Sequence, residues 1–340
     1  MSREVLAEIK QGRIDPVYFL YGNEPFLLEE TMHRMRELLG DGSEDPGAVV
    51  IMDLDETPVQ HLIDEAEVPP FFSERRVIIG KNAHFLTAVR AKGGPGHDPD
   101  RLIAYLQQPL PTSVVILTVP SDKLDKRKKA VKELELRARC IRFDPLGGKE
   151  ILAWLQQRFK ELGVEADPRA VRELALLVGP DLRRLDNECR KLAVYVGDAG
   201  KVDVKTVSAL VPRTLEQDVF KLTESIARRQ TGEALRIWRD LLHQREEPLR
   251  VLSLITRQFR LMLQVKALAR QGLGEKEIAA RLKVHPYPVK LALRQGQAFS
   301  EKALRGLLLG AVAADREIKT GRTDKVLAVE RLILNVHQGT

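Results

Sequence analysis

Five short apolar runs in the first 143 residues limit what this chain can fold into more than anything else in it. They are residues 17–21 (VYFLY), 48–54 (AVVIMDL), 76–80 (RVIIG), 113–119 (SVVILTV) and 138–143 (ARCIRF). Taken together they are rich in β-branched residues and nearly continuous in apolar character. Strands of that kind bury both faces, the signature of a parallel sheet covered by helices on either side. The segments between them, residues 24–39 and 124–136 among them, read as helices, so the N-terminal part of the chain is expected to be α/β. Residues 91–100 (AKGGPGHDPD) read as a surface loop by composition.

The first run leads into GNEPFLLEE, a glycine followed by a helix-like stretch, which is the order in which nucleotide-binding folds build a phosphate cradle. A working cradle reads G-x-x-x-x-G-K-[ST]: backbone N–H groups wrap the phosphates, the lysine reaches the outer ones and the hydroxyl holds magnesium. Only Gly22 matches. Counting forward, Leu27 stands for the second glycine, Leu28 for the lysine and Glu29 for the hydroxyl residue. A carboxylate about 4 Å from a phosphate would cost roughly 4 kcal/mol at an effective dielectric near 20. The expectation is a nucleotide-binding architecture that does not hold ATP. Glu24, near the positive end of the following helix, stands where an anion would be favoured.

From residue 146 onward the pattern is helical. In PDLRRLDNECRKLAVYV, Leu182, Leu185, Cys189, Leu192 and Val196 recur at steps of three and four, placing one stripe against a core with Arg183, Arg184, Glu188 and Arg190 nearer the polar side. Gly179 and Pro180 punctuate its start and Gly197 its end. The break LVPRTLEQ, residues 210–217, precedes a long helical section in which Leu252, Ile255, Phe259 and Met262 form a second stripe. The expected division is 1–144, 145–212 and 213–340.

Charge divides unevenly along this frame. Residues 213–340 carry 24 Lys+Arg against 14 Asp+Glu, or +10, whereas residues 1–212 carry 31 against 34, or −3. The basic character belongs to the C-terminal third and suits a polyanion, an acidic protein partner or simply solvated helix faces. The two cysteines, Cys140 and Cys189, lack metal-ligand spacing, fit a reducing compartment and are expected in the core. None of the seven histidines is spaced as a ligand with another His or Cys, so no metal is expected. The longest apolar run, LLLGAVAA at residues 307–314, is far shorter than a membrane span, and no leader-like segment opens the chain, so a cytoplasmic location is expected.

An α/β part, a small helical part and a larger helical bundle, in that order, resemble the delta subunits of bacterial DNA polymerase III clamp loaders. The resemblance is carried by VYFLYGNEPFLLEE, PPFFSERRVII, GPDLRRLDNECRKLAVYVG, RQFRLMLQVKALARQG and DREIKTGR in their order and spacing. It implies an AAA+ (P-loop NTPase-like) domain without a functional nucleotide site, a helical lid and a C-terminal collar. The polymerase activity would then belong to the complex and not to this chain, with no cofactor and no catalytic residue here. Where active relatives end a strand in an acidic pair, this chain has Gly80 and Lys81. Where they carry a lid arginine, the position falls on Leu182, one step from Arg183.

The resemblance also implies that Phe71 and Phe72, with Pro70 beside them, enter a pocket on the beta sliding clamp to open it for loading on primed DNA. The implied partners are that clamp, loader subunits of the delta-prime and gamma/tau type, and primed DNA, with no membrane. In DREIKTGR, Gly321 reads as a helix stop and Lys319 as a charge favouring the negative helix end, and Lys319 and Arg322 are candidates for phosphate contact.

Three other readings compete. Residues 274–296 (GEKEIAARLKVHPYPVKLALRQG) have the outline of a helix-turn-helix, but the second helix opens on Pro286, Tyr287 and Pro288 and offers only Lys290 and Arg294 to bases, so a packed helical pair is expected. An ATPase fails on the missing lysine and acidic pair. A nonspecific single-strand binder would need stacking platforms that 5% aromatic content does not favour.

Overall fold

The computed structural model describes residues 2–40, 47–71, 73–88, 94–198, 200–212, 215–284 and 286–335. It divides into two compact units, Met1–Pro145 and Leu146–Thr340. The first contains α1 (Ser2–Lys10), β1 (Val17–Gly22), α2 (Pro25–Leu39), β2 (Val49–Asp53), α3 (Val59–Ala66), β3 (Arg76–Lys81), α4 (Pro99–Gln107), β4 (Ser113–Val119), α5 (Lys129–Arg137) and β5 (Arg139–Phe143). The five strands form one parallel sheet in the order β2-β3-β4-β1-β5.

Successive residues along the strands serve two different cores, as a sheet buried on both faces requires. Tyr18, Leu20, Val77, Ile79, Val114, Ile116, Ile141 and Phe143 pack with residues of α1 and α2. Val17, Phe19, Ile78, Val115, Leu117 and Val119 face the other way, onto α3, α4 and α5. The α/β architecture expected from the five runs is the one found.

Three local expectations change. Helix α5 begins at Lys129 and not near Leu124, because the Asp125 carboxylate and carbonyl accept from Arg127 N and Lys128 N at 3.2 and 3.0 Å and hold that stretch in a turn. The end of the glycine-rich loop is a helix start, with the Asp98 side chain capping α4 through Asp100 N and Arg101 N. Residues 91–93 of that loop lie outside the described residues. Of the cysteines, Cys189 is buried, whereas Cys140 is only half-buried, since β5 lies at a sheet edge and the thiol there donates to Leu134 O.

The second unit opens with α6 (Gly148–Glu161), β6 (Glu165–Ala166), α7 (Pro168–Val178), α8 (Leu182–Val196), β7 (Lys201–Val202) and α9 (Val204–Leu210). The stripe of α8 is buried at Leu182, Leu185, Cys189 and Leu192, and Asp181 caps its start by accepting from Arg184 N. One acidic residue breaks the pattern. Asp186 is buried and takes bonds from buried Arg158 of α6 and, at 2.8 Å, from Arg190. Burial alone would raise the Asp186 carboxyl, but the two guanidinium groups outweigh it and hold it below the ordinary carboxylate range. A carboxyl lowered in the folded state stabilises above its unfolded value of about 3.9, and that contribution is lost as the pH falls through the folded value. Asp186→Asn is therefore expected to flatten the acid limb of the stability profile below about pH 4, which urea unfolding at stepped pH measures; an unaltered limb would remove this ion pair from the account.

The remaining helices are α10 (Leu215–Ala227), α11 (Thr231–His243), α12 (Pro248–Arg270), α13 (Glu275–Leu282), α14 (Pro286–Gly296), α15 (Glu301–Lys319) and α16 (Lys325–Asn335). They share a core built on Trp238, Leu252, Ile255, Phe259, Met262, Val289 and Val329, so the second stripe is buried as its spacing predicts. Helices α13 and α14 contribute Ile278, Ala279, Val289 and Ala292 to that core. Buried Gln295 of α14 bonds Gln258 of α12 at 2.7 Å and Phe220 O of α10 at 3.0 Å. Helix α14 is thus fastened into the bundle by one face, and the side chains it leaves exposed are Lys290 and Arg294. Among the described residues no helix is long and apolar enough to cross a membrane.

Candidate functional site

The C-terminal end of β1 is where a phosphate cradle would lie, and two residues, Asn23 and Glu24, are all that separate β1 from α2. That is too short to wrap a phosphate, and Pro25 at the first helical position has no N–H to offer. The groups that remain are engaged. Asn23 Oδ1 accepts from Asp122 N at 3.2 Å, tying the turn to the segment after β4. Glu24, buried at the N-cap position, donates its N–H to Phe143 O at 3.2 Å and accepts from Leu28 N. Leu28 lies in the core beneath α2, and Glu29 is exposed.

Gly22 is required by the sheet and not by a ligand. Its φ is +142°, and a Cβ there would stand 2.1 Å from Phe143 O of β5. The end of β3, where an acidic pair would sit, is equally closed. A Cβ on Gly80 would meet methyl groups of Leu62, Leu54 and Leu117 at 2.6, 2.8 and 2.9 Å, so a buried carboxylate has no room there. Among the described residues, no group of three His, Cys, Asp or Glu side chains is arranged to hold a metal ion.

The loop between α3 and β3 lies at the opposite end of the sheet, where β3 begins. Helix α3 ends without a glycine cap; Glu67 N and Val68 N turn back onto Ile63 O and Glu65 O, and Pro69 and Pro70 prevent the helix from continuing. The chain then presents Phe71 with 88% of its surface exposed, while Val68 is 49% exposed. Pro70 is half-buried. Phe72, the second expected aromatic, lies outside the described residues.

The residue that sequence reasoning passed over is Arg76, the first of β3. Its side chain is buried and points back across the base of this loop. Nη1 donates to Glu65 O at 2.9 Å and Val68 O at 3.3 Å, Nη2 to Glu65 Oε2 at 2.7 Å, and Nε to Gly47 O at 3.2 Å. A cation at the negative end of α3 is favourable in itself, and the planar fork reaches several acceptors at once. A charged residue opening an otherwise apolar strand was the available signal.

The two C-terminal candidates sit at the end of α15. Lys319 is paired with Asp315 at 2.8 Å one turn back. Gly321 takes a positive φ of 69° and stops the helix, with Arg322 exposed just beyond it. The expected stop is therefore present.

Three family models match the chain in order. Residues 18–144 match one described as "DNA polymerase III, delta subunit", residues 148–209 one described as a middle domain, and residues 216–336 one described as "DNA polymerase III delta subunit, C-terminal domain". The DNA polymerase III subunit delta of Bacillus subtilis (strain 168) is 39% identical over 336 residues, spanning 99% of this chain and 97% of the relative. The solved structure of the Bacillus subtilis DNA clamp loader delta protein (YqeN) matches with a TM-score of 0.80 at 39% identity, over 99% of this chain and 100% of that one. With the fold, its order of parts and these matches in agreement, the chain belongs to the delta subunit family of the DNA polymerase III clamp loader.

Proposed function

We propose that this subunit does no chemistry of its own and acts by binding and opening the beta sliding clamp, so that the ring can be loaded on primed DNA during chromosomal replication. The observation that carries this reading is Phe71, 88% exposed on a loop built at the end of the sheet away from the closed nucleotide cradle. A ring of that size presented to solvent is an anchor for a partner pocket. Opening requires that the loop bind the open or strained clamp interface more tightly than the closed one, because only differential affinity shifts an equilibrium.

In this reading residues 1–144 carry the clamp-binding element, 145–212 form the lid and 213–340 join delta-prime and gamma/tau type subunits in a collar. Lys319 and Arg322 lie on the side of that collar that approaches DNA. ATP bound by neighbouring subunits governs when the loop is exposed, and this chain binds none; its place is the bacterial cytoplasm, at the nucleoid during replication. The support is the family membership together with the two-residue turn after β1.

The test is calorimetric. The sliding clamp of the same organism is titrated into the full chain without nucleotide, and ATP with magnesium is titrated separately. Binding in the first titration and no heat of binding in the second are expected. A chain that binds ATP stoichiometrically, or one that ignores the clamp, would overturn the proposal.

A further inference from the structure

We infer that Arg76 is a positioning residue for clamp binding: its guanidinium closes the base of the α3–β3 loop and holds Phe71 ready for a partner pocket. The inference rests on the reading of this loop as the clamp-binding element.

The loop leaves the packed part of the unit at Val68 and returns at Arg76, and one side chain joins those two points. Arg76 is 8% exposed, and its bonds run to the last turn of α3, to the carbonyl of Val68 three residues before Phe71, and to Gly47 at the entry to β2. Glu65 adds its carboxylate at 2.7 Å. The backbone of Arg76 is fixed independently, donating to Thr112 O at 2.9 Å, so the guanidinium is anchored to the sheet and grips the loop from there. On the far side, Ser73 Oγ bonds Arg75 O at 2.9 Å. Val68 and Arg76 are thus two points held together by one planar fork, with Phe71 between them along the chain.

A fork is needed for this. The Glu65 and Val68 carbonyls and the Glu65 carboxylate lie in different directions, and Nη1 and Nη2 meet them together; a lysine ammonium offers one point in place of two. Without the fork, the Val68 carbonyl loses its side-chain donor, the Glu65 carbonyl is left with Val68 N, and the tie between Val68 and Arg76 is gone. Docking would then have to order that segment, and immobilising one or two side chains at an interface lowers affinity by roughly fivefold.

The measurement that separates positioning from general stability is a double-mutant cycle on clamp affinity in the full chain, read by calorimetry well below the melting temperature. Arg76→Met is expected to weaken clamp binding about fivefold when Phe71 is present and to add nothing in a Phe71→Ala background, with Arg76→Lys falling between. Glu65→Gln, which keeps both carbonyl contacts, is the variant that leaves the fold undisturbed and should give a smaller loss of the same kind. Equal losses in both backgrounds, or no loss in either, would overturn the inference while leaving the loop as the binding element. If Phe71→Ala alone leaves affinity unchanged, the reading of the loop fails, and the role of Arg76 fails with it.

Discussion

Replacing Phe71 and Phe72 together by alanine is expected to weaken clamp binding at least tenfold while leaving the melting temperature unchanged to within about 2 °C. The two halves of this expectation have separate causes. Phe71 is 88% exposed, so its removal takes nothing from the core of its own unit and falls in the class of surface substitutions that shift stability by about 0.5 kcal/mol or less. In a partner pocket each ring could bury roughly 150–250 Å², and truncation of a central interface aromatic costs about 2 kcal/mol or more. Two such losses would together approach a thousandfold if they added. Calorimetry of the wild type and the double variant side by side, with thermal melts of each, provides both numbers. Unchanged affinity would remove the proposed wedge; a large fall in melting temperature would show that these rings belong to the chain's own core.

Gly22→Ala is expected to destabilise the α/β unit by roughly 4 kcal/mol or more, the size reserved for a backbone position that cannot relax. The added Cβ would sit 2.1 Å from Phe143 O and 2.8 Å from Phe143 N, and the φ of +142° is one that L side chains rarely adopt. The obstacle is the main chain of β5, which pairs with β1 from Tyr18–Arg139 to Gly22–Phe143, so no side-chain rotation offers relief. A fall in melting temperature of roughly 10 °C is the corresponding readout. An alanine variant as stable as the parent would mean that β1 and β5 part at this end, and the cradle would then need reconsidering as an open site.

That glycine also marks where the sequence could mislead. In the string GNEPFLLEE it is the surviving letter of a phosphate-binding motif. The reason it is glycine is different: another strand passes too close for a side chain. Register between strands whose partners, such as Gly22 and Phe143, lie far apart in the chain is set by the packed sheet and leaves no local trace.

The strands themselves were legible because burial on both faces leaves runs such as SVVILTV, and the helical stripes because a three-and-four spacing has few other causes. Leu182, Leu185, Cys189 and Leu192 are all buried as that spacing requires. Asp186 was not legible, since a carboxylate within a stripe looks like an exposed residue until Arg158 arrives from α6. Arg76 was missed although its charge at the head of an apolar strand was in view: three of its four partners are backbone carbonyls, which no sequence displays, and the fourth is the Glu65 carboxylate. Phe71 was singled out by the family resemblance alone, since an aromatic after two prolines can equally cover its own sheet; its exposure of 88% comes from the structure.

The turn of Asn23 and Glu24 has a consequence for the cell as well as for the fold. On the function proposed above, a subunit with so short a turn at this place would not register the ratio of ATP to ADP. Its intrinsic grip on a partner ring would be the same in a starved cell as in a growing one. Any coupling of ring opening to energy supply must then come from the assembly around it, leaving this chain as the constant term against which its neighbours' nucleotide states are measured.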